Sequence, residues 1–227
     1  MSVLAIDTAH AAVAVCVLDR SGAVRASETQ PMARGHSEAL LPMIERVIAA
    51  AETDFGDLCR VGVVIGPGSF TGIRIGISAA RAIGLACGAP VVGVASLPAL
   101  AAPLIGREGG YVVASAIDAK HGQVYVQGFS SKGHSVLPPR IAKVRDAVRA
   151  LGAGPIRLVG SGAPMMAIEA WSMGMEADVI GDTASPDIAL VARLALLADP
   201  AQAPARPFYL KSPDAQPPSR GLIARAT

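Results

Sequence analysis

The chain has 227 residues, of which 52% are hydrophobic, 17% charged and 4% aromatic, and its formal net charge is +2. This composition excludes a disordered chain and is far from the strong basicity of a free-standing nucleic-acid-binding domain. Because aromatic residues are few, the core must consist mainly of Ala, Val, Leu and Ile, whose short side chains let helices and sheets pack closely.

Targeting and redox features point to a cytoplasmic protein. No apolar run approaches the ~20 residues of a membrane-spanning helix. The N-terminus reaches Asp7 without a basic segment, so we expect no signal peptide. The three cysteines, Cys16, Cys59 and Cys87, lie far apart in apolar sequence, which is typical of free thiols in a reducing compartment. The four histidines lack metal-ligand spacing, so we expect no dedicated metal site.

The first hundred residues change from β to α/β periodicity. Three runs with alternating apolar residues predict an antiparallel meander, and helical spacing then alternates with buried strands. The predicted elements are strands over 3–8, 11–18 and 23–29, a helix over 36–52, a strand over 61–65, a helix over 71–87, a strand over 91–94 and a short helix over 96–102.

The second half repeats this pattern less regularly. It predicts strands over 111–117, 123–129 and 156–159 and helices over 141–151 and 186–197. We therefore expect an N-terminal lobe over 1–103, a smaller C-terminal lobe over 104–211 and a Pro-rich tail over 212–227. The helix over 186–197 is expected to pack back on the first lobe.

The element order β-β-β-α-β-α-β-α predicts an α/β fold with helices on both faces of a mixed sheet. This order is typical of ribonuclease-H-like domains and of each half of the two-lobed ASKHA proteins, which include actin, Hsp70 and sugar kinases. The predicted fold is therefore a two-lobed ASKHA fold whose second lobe is reduced.

A glycine-rich turn joins the strand over 61–65 to the next helix. Gly66, Gly68, Ser69 and Thr71 are candidate phosphate contacts, because a helix start presents free N–H groups to an anion. The segment lacks the lysine of a P-loop and the spacing of a dinucleotide-binding loop, so a tight structural turn is the alternative.

Two aspartates follow strands in corresponding places. In kinase-like folds a carboxylate at the position of Asp7 coordinates magnesium through water or orients a phosphate, so Asp7 is a candidate nucleotide contact. Asp118, at the turn between the strands of the second half, has the same two interpretations. The alternative for both is a turn aspartate that bonds its own backbone.

Small residues recur at every fourth position of the helix over 71–87. Gly72, Gly76, Ala80 and Gly84 form a smooth stripe along one side. Each helical glycine costs about 1 kcal/mol relative to alanine, so close approach of another backbone must compensate. The partner of this stripe is either the chain's own sheet or a helix of another subunit.

These segments together resemble the bacterial TsaB (YeaZ) family of tRNA threonylcarbamoyladenosine biosynthesis proteins. The matching segments span nearly the whole chain and lie at 4–8, 36–38, 66–76, 118–125 and 207–211. Two departures are Ala9, where serine is usual, and Lys211, where arginine is usual.

The resemblance implies a non-catalytic subunit of the complex that transfers a threonylcarbamoyl group to adenosine 37 of tRNA. Its implied partners are TsaD, the catalytic paralogue, the ATPase TsaE and, when alone, a second copy; tRNA is contacted indirectly through the complex. No cofactor of its own is implied, with ATP or ADP a candidate at the complex interface. The H-x-x-x-H metal motif of TsaD would fall near Ser96 and Leu100, neither of which replaces an imidazole ligand.

The resemblance also implies that the two N-terminal helices pack against the same helices of TsaD or of a second copy. A Gly76→Leu substitution is then expected to abolish pairing and to leave the lobe partly folded. The candidate interface residues are Leu40, Leu41, Ile44, Gly72, Ile73, Arg74, Gly76, Ile77, Ala80 and Gly84.

Two other functions remain as alternatives. An ASKHA-type ATP-binding phosphotransferase or ATPase would turn over nucleotide alone and would depend on Asp7. An M22-type glycoprotease is the second, but no nucleophile–base pair can be identified in the sequence.

Overall fold

A computed structural model describes residues 1–183 and 185–211, so the predicted tail over 212–227 lies outside the described residues. The chain forms two lobes, each built on one five-stranded sheet. The strands are β1 (Ser2–His10), β2 (Ala12–Asp19), β3 (Val24–Pro31), β4 (Leu58–Gly66), β5 (Val91–Ala95), β6 (Val112–Asp118), β7 (Gln123–Ser130), β8 (Ser135–Lys143), β9 (Ile156–Val159) and β10 (Ala177–Gly181). The helices are α1 (His36–Ala50), α2 (Phe70–Cys87), α3 (Ser96–Ala101), α4 (Val144–Ala150), α5 (Ala163–Ser172) and α6 (Ile188–Leu197), with 3₁₀ turns at Phe55–Asp57 and Ala102–Leu104.

The first sheet has the strand order β3-β2-β1-β4-β5. Strand β1 is buried along its whole length, as expected for a central strand covered on both faces. It pairs antiparallel with β2 and parallel with β4, so the meander passes directly into the α/β part. Helices α1 and α2 contact the strands of this sheet, and α6 also packs on β1, β2 and β4.

The glycine stripe of α2 packs on the chain's own sheet. A Cβ atom at Gly76 would lie 2.6 Å from Thr8 Oγ1, and one at Gly72 would overlap the Thr8 carbonyl oxygen. At Gly84 a Cβ would overlap the Val91 side chain. Of the two partners considered for the stripe, the structure favours the chain's own sheet, because β1 and β5 occupy the space beside these glycines. A subunit interface at these positions stays a prediction.

Most of the other predicted interface residues are also buried inside the first lobe. The buried members of the set are Leu40, Ile44, Gly72, Ile73, Gly76, Ile77, Ala80 and Gly84. Leu41 and Arg74 remain exposed on the outer surfaces of α1 and α2. These two stay candidates for a partner contact, whereas the buried eight belong to the core.

The second sheet has the order β10-β9-β6-β7-β8. Read from β8 to β10, this order has the third, second, first, fourth and fifth strands of the lobe in sequence, as the first sheet does. This repetition confirms the predicted two-lobed ASKHA-type fold. The second lobe keeps all five strands but is reduced in its helices, since α4 has 7 residues and α5 has 10, against 15 in α1 and 18 in α2, and in strand β9, which has 4 residues against 9 in β4.

Four details of the second lobe differ from the sequence prediction. The helix predicted to begin at residue 141 begins at Val144, because the edge strand β8, which is absent from the prediction, continues to Lys143. The prediction also lacks helix α5 and strand β10. Strand β10 lacks the alternation of apolar and polar residues that predicts a strand, because three of its five residues, Asp178, Val179 and Ile180, are exposed.

The lobes exchange helices. Helix α3 follows the last strand of the first sheet but contacts β6 and β7 of the second sheet. Helix α6 follows the second sheet but contributes Ile188, Val191 and Ala195 to the core of the first lobe. The Arg60 guanidinium of β4 bonds the carbonyl oxygens of Ala195, Leu196 and Ala198 at the end of α6.

Helix α2 (Phe70–Cys87) is long and apolar enough to cross a membrane when judged by length and mean hydropathy alone. This corrects the expectation that no segment reaches that threshold. The test is also passed by core helices of soluble proteins. In this fold, six residues of α2 are buried, and its glycines lie against the first sheet.

Candidate functional site

A cleft of about 570 Å³ lies between the two lobes. It opens at the carboxyl ends of the two central strands, β1 and β6, where a ligand site is usual in α/β folds. The first lobe contributes His10 and the glycine-rich turn, and the second contributes Asp118, Lys120 and Ser161. The last described residues, 208–211, line a further part of it.

Asp7 lies three residues before the end of β1 and is 1% exposed, so it does not itself line the cleft, whereas Ala9 and His10 do. Its Oδ1 accepts a hydrogen bond of 2.7 Å from the Ala9 N–H, whereas its buried Oδ2 has no partner among the described residues. Burial raises the pKa of this carboxyl, although the positive charge of His10 and the bond from Ala9 act to lower it. The site therefore disfavours the charged carboxylate and leaves Oδ2 without a hydrogen-bond partner among the described residues.

His10 connects the end of β1 to helix α3. Its Nε2 lies 3.1 Å from the hydroxyl of Ser96, and burial lowers the pKa of the imidazole against the attraction of Asp7. The His36 Nε2 lies 2.9 Å from the His10 carbonyl oxygen. Asp7, His10 and Ser96 thus come together in one cluster. Ser96 is 0% exposed, which does not suit a nucleophile that must reach a substrate.

The glycine-rich turn packs tightly against the end of β1. The Ser69 N–H donates to the Ala9 carbonyl oxygen at 2.7 Å, and the Ser69 hydroxyl accepts from the Gly72 N–H as the cap of α2. Gly68 lies so close to the Ala9 carbonyl that a Cβ atom would overlap it. Two N–H groups that a phosphate would need are therefore used within the lobe, although Gly68 and Ser69 line the cleft.

The other two candidate phosphate contacts are placed differently. Gly66 is buried with φ +104°, a conformation that favours glycine, and a Cβ there would press on Ile73 and Phe208. Thr71 is exposed at the start of α2. Neither lines the cleft, so a phosphate role for these two residues remains a prediction without structural support from the cavity.

A cation–aromatic stack joins the start of α2 to the chain's last described segment. The Phe70 and Tyr209 rings stack at 4.8 Å, and the Arg74 guanidinium lies 3.9 Å above the Phe70 ring. The Arg74 Nε also donates to the Tyr209 hydroxyl at 3.0 Å. Nothing local in the sequence links the 207–211 segment to α2, so this contact is visible only in the fold.

The second lobe presents a charged turn to the cleft. Lys120 Nζ lies 3.0 Å from Asp118 Oδ2, and the Lys120 N–H donates to Asp118 Oδ1. Although burial raises it, the pKa of Asp118 is lowered on balance by these bonds. The Ser161 hydroxyl accepts from the Asp118 N–H. Asp118 is therefore a turn aspartate bonded to its own loop, the structural alternative for this residue.

Helix α3 carries the positions where a metal motif was considered. Ser96 bonds His10, and Leu100 is buried in an apolar cluster with Leu97 and Ile117. Across residues 1–183 and 185–211, no group of three or more His, Cys, Asp and Glu side chains is arranged to hold a metal ion. The geometry at α3 is that of a packed contact between the lobes.

Comparison with known proteins identifies relatives of the sequence. The family model for TsaD, a tRNA N6-adenosine threonylcarbamoyltransferase, matches residues 27–195. The tRNA threonylcarbamoyladenosine biosynthesis protein TsaB of Escherichia coli (strain K12) is 38% identical over 126 residues, covering 55% of this chain and 53% of that protein. An uncharacterized protein of Mycobacterium tuberculosis (strain ATCC 25618 / H37Rv) is 36% identical over 218 residues, covering 95% and 94%.

The length of the sequence match and the similarity to a solved structure define what these comparisons establish. The match to the Escherichia coli protein spans about half of that protein's length. Among solved structures, YeaZ from Pseudomonas aeruginosa superposes with a TM-score of 0.71 at 24% identity, covering 92% of this chain and 99% of that one. At this identity the structural likeness establishes the fold.

Proposed function

The chain belongs to the TsaB/YeaZ family of TsaD-type proteins, and from this premise we propose that it is a non-catalytic subunit in tRNA threonylcarbamoyladenosine synthesis. In this role it stabilises and activates a TsaD-type subunit, which transfers the threonylcarbamoyl group to adenosine 37 of tRNA. A TsaE-type ATPase is the third component, and a cytoplasmic location is part of the same proposal.

The packing of helix α3 carries the proposal. The two positions assigned to the metal motif of the catalytic paralogue, Ser96 and Leu100, are buried, one against His10 and the other among apolar side chains. An iron or zinc site needs imidazole, thiolate or carboxylate ligands in an accessible place. Ser96 and Leu100 supply none of these ligands, and the His10 imidazole and Asp7 carboxyl beside them are buried, which favours a supporting role.

The outward surfaces of α1 and α2 are proposed as the contact with the partner or with a second copy. Leu41 on α1 is 56% exposed and Leu85 on α2 is 88% exposed. Burial against another protein would remove both apolar side chains from water, which is the physical reason for proposing the contact here. Arg74 lies on the same helix as Leu85 but is engaged by Phe70 and Tyr209.

A second candidate function is ATP binding with phosphotransfer or hydrolysis. The unpartnered Oδ2 of Asp7 beside the cleft favours it, since a buried acceptor without a donor is costly. The N–H groups used within the glycine-rich turn weigh against it. ATP turnover by the purified chain that disappears in Asp7→Asn would favour this function over the supporting role.

Complementation tests the proposed function in a cell. In Escherichia coli depleted of its own TsaB, expression of this chain should restore threonylcarbamoyladenosine in bulk tRNA, measured by nucleoside mass spectrometry. A Ser96→Ala variant should restore it equally, and a Leu41→Asp/Leu85→Asp variant should not. Failure of the wild-type chain to restore the nucleoside, despite soluble expression, would contradict the proposal.

A further inference from the structure

Charge is sharply segregated within the second lobe. Residues 119–157 contain seven basic side chains and one acidic side chain, which is Asp146. Residues 158–186 contain four acidic side chains and none that is basic. The net charge of the chain is therefore small although one lobe contains a basic part and an acidic part.

The strand order separates these parts in space. In the order β10-β9-β6-β7-β8, strands β8 and β10 are the two opposite edges of the sheet. Basic residues lie along β8 and continue onto α4. On the opposite edge, Asp178 lies on β10, and Glu176 and Asp182 flank that strand. We define the β8/α4 basic surface by its four exposed members, Arg140, Lys143, Arg145 and Arg149.

The members of this surface lie on adjoining elements. Arg140 is opposite Val126 in the β7–β8 ladder, and Val126 packs in the same cluster as Ala147 of α4. Residues directly opposite share a face of the sheet, so Arg140 lies on the face that α4 covers. Arg145 and Arg149 are four residues apart on α4, about 6 Å along its axis.

Two carboxylates lie at this surface: Asp146, which is exposed on α4 but forms no ion pair with a described residue, and Glu169 of α5. Arg145 lies 3.7 Å from Glu169, a loose pair with an exposed guanidinium. Arg140, Lys143 and Arg149 form no ion pair with any residue that the structure describes. The positive charge is therefore available to an external anion.

Two observations favour a polyanion over a folded protein or a peptide strand. Pro138 and Pro139 interrupt the free edge of β8, and proline removes the N–H donors that an added strand would need. Exposed charges also extend beyond the edge onto α4. The four members include no aromatic or large apolar side chain of the kind that anchors a protein interface, whereas nucleic-acid interfaces are built from Arg and Lys contacts to phosphates.

We propose that the β8/α4 basic surface binds the phosphate backbone of tRNA directly. The inference rests on the proposed function, which makes tRNA the substrate of the complex, and it replaces the expected indirect contact by a direct one. Guanidinium groups suit this role because they bond phosphate oxygens in pairs. The contact positions tRNA without reading its sequence.

Fluorescence anisotropy with a labelled, unmodified tRNA and the full chain, between 50 and 200 mM KCl, tests the inference. Arg140→Glu/Arg149→Glu should weaken binding at least about tenfold and lower the slope of log Kd against log salt by about two. The matched control is Arg20→Glu/Arg25→Glu, which makes the same charge change at exposed positions of the first lobe and should alter Kd less than about twofold. Circular dichroism confirms that both variants fold.

Three outcomes would overturn the inference, and a fourth would separate it from the proposed function. Equal losses of tRNA affinity in the two variants would mean that binding is general electrostatic attraction. No tRNA binding by the wild-type chain at 50 mM KCl would mean that the surface is not a tRNA site. Competition by polyglutamate as effective as competition by tRNA would point to an acidic protein partner. Complementation that fails while the surface-dependent binding persists would refute the proposed function and leave the surface intact.

Discussion

Single buried polar side chains define the chemistry of the cleft. Asp7 has one satisfied and one unpartnered oxygen, and its neighbour His10 is held against Ser96. Burial pushes the pKa values of Asp7 and His10 in opposite directions, upward for the carboxyl and downward for the imidazole, so each is shifted toward its neutral form. Such a cluster rigidifies the end of β1 and has no group placed as an exposed nucleophile.

An Asp7→Asn substitution should stabilise the fold at neutral pH. The folded-state pKa of Asp7 lies above its ordinary value of 3.8. Protonation of Asp7 therefore stabilises the folded protein fully below pH 3.8, and this stabilisation is lost as pH rises through the folded-state pKa. Urea denaturation should therefore show a higher free energy of unfolding for Asp7→Asn at pH 7, with the gain shrinking toward pH 4.

The control for this substitution has the opposite sign. Hydrogen bonds from the Ser21 hydroxyl and then the Ala23 N–H lower the pKa of Asp19, so Asp19→Asn should lose stability at pH 7 and lose less as pH falls. A parallel response of the two variants to pH would show that Asp7 is not destabilised by its burial.

At the scale of helices and strands, the sequence predicts the first lobe closely. The helices expected over 36–52 and 71–87 are α1 (His36–Ala50) and α2 (Phe70–Cys87), because their apolar periodicity is regular. The second lobe is predicted less well. Strand β8 is largely exposed and contains two prolines, so it shows no apolar alternation.

The stripe of α2 makes a prediction at this scale. Gly76→Leu should lower the free energy of unfolding by about 3 kcal/mol or prevent folding, because a side chain there meets Thr8 and Val63. Ser78→Leu, which places the same side chain on the exposed surface of the helix, should change it by about 0.5 kcal/mol at most. The result that would contradict this is a soluble Gly76→Leu protein that keeps its stability in urea but no longer binds its partner. The stripe would then be a subunit interface.

At the scale of the whole molecule, the two lobes meet around a cleft whose residues are far apart in the chain. Asp7 and Asp118 were identifiable from the sequence because each ends a central strand. The bond between His10 and Ser96, 86 residues apart, and the stack of Phe70 on Tyr209 depend on the exchange of α3 and on the return of the C-terminal segment. No local pattern encodes such contacts, which is why sequence analysis missed them.

The proposed supporting role rests on family membership and on the packed interior at α3. The surfaces left for that assistance are the outer sides of α1 and α2 for a protein partner and the β8/α4 basic surface for tRNA. The cleft between the lobes stays available to a small ligand in either case. These surfaces are separate, so substitutions in one should leave the others functional.

Reconstituted transfer of the threonylcarbamoyl group to tRNA tests the central claim most directly. With purified TsaD- and TsaE-type subunits and threonylcarbamoyl-adenylate, the account predicts that omitting this chain abolishes modification. Adding the wild-type chain or Ser96→Ala should restore it equally, while this chain alone should modify nothing. Modification by this chain without a TsaD-type subunit, or full activity of the other subunits in its absence, would contradict the account.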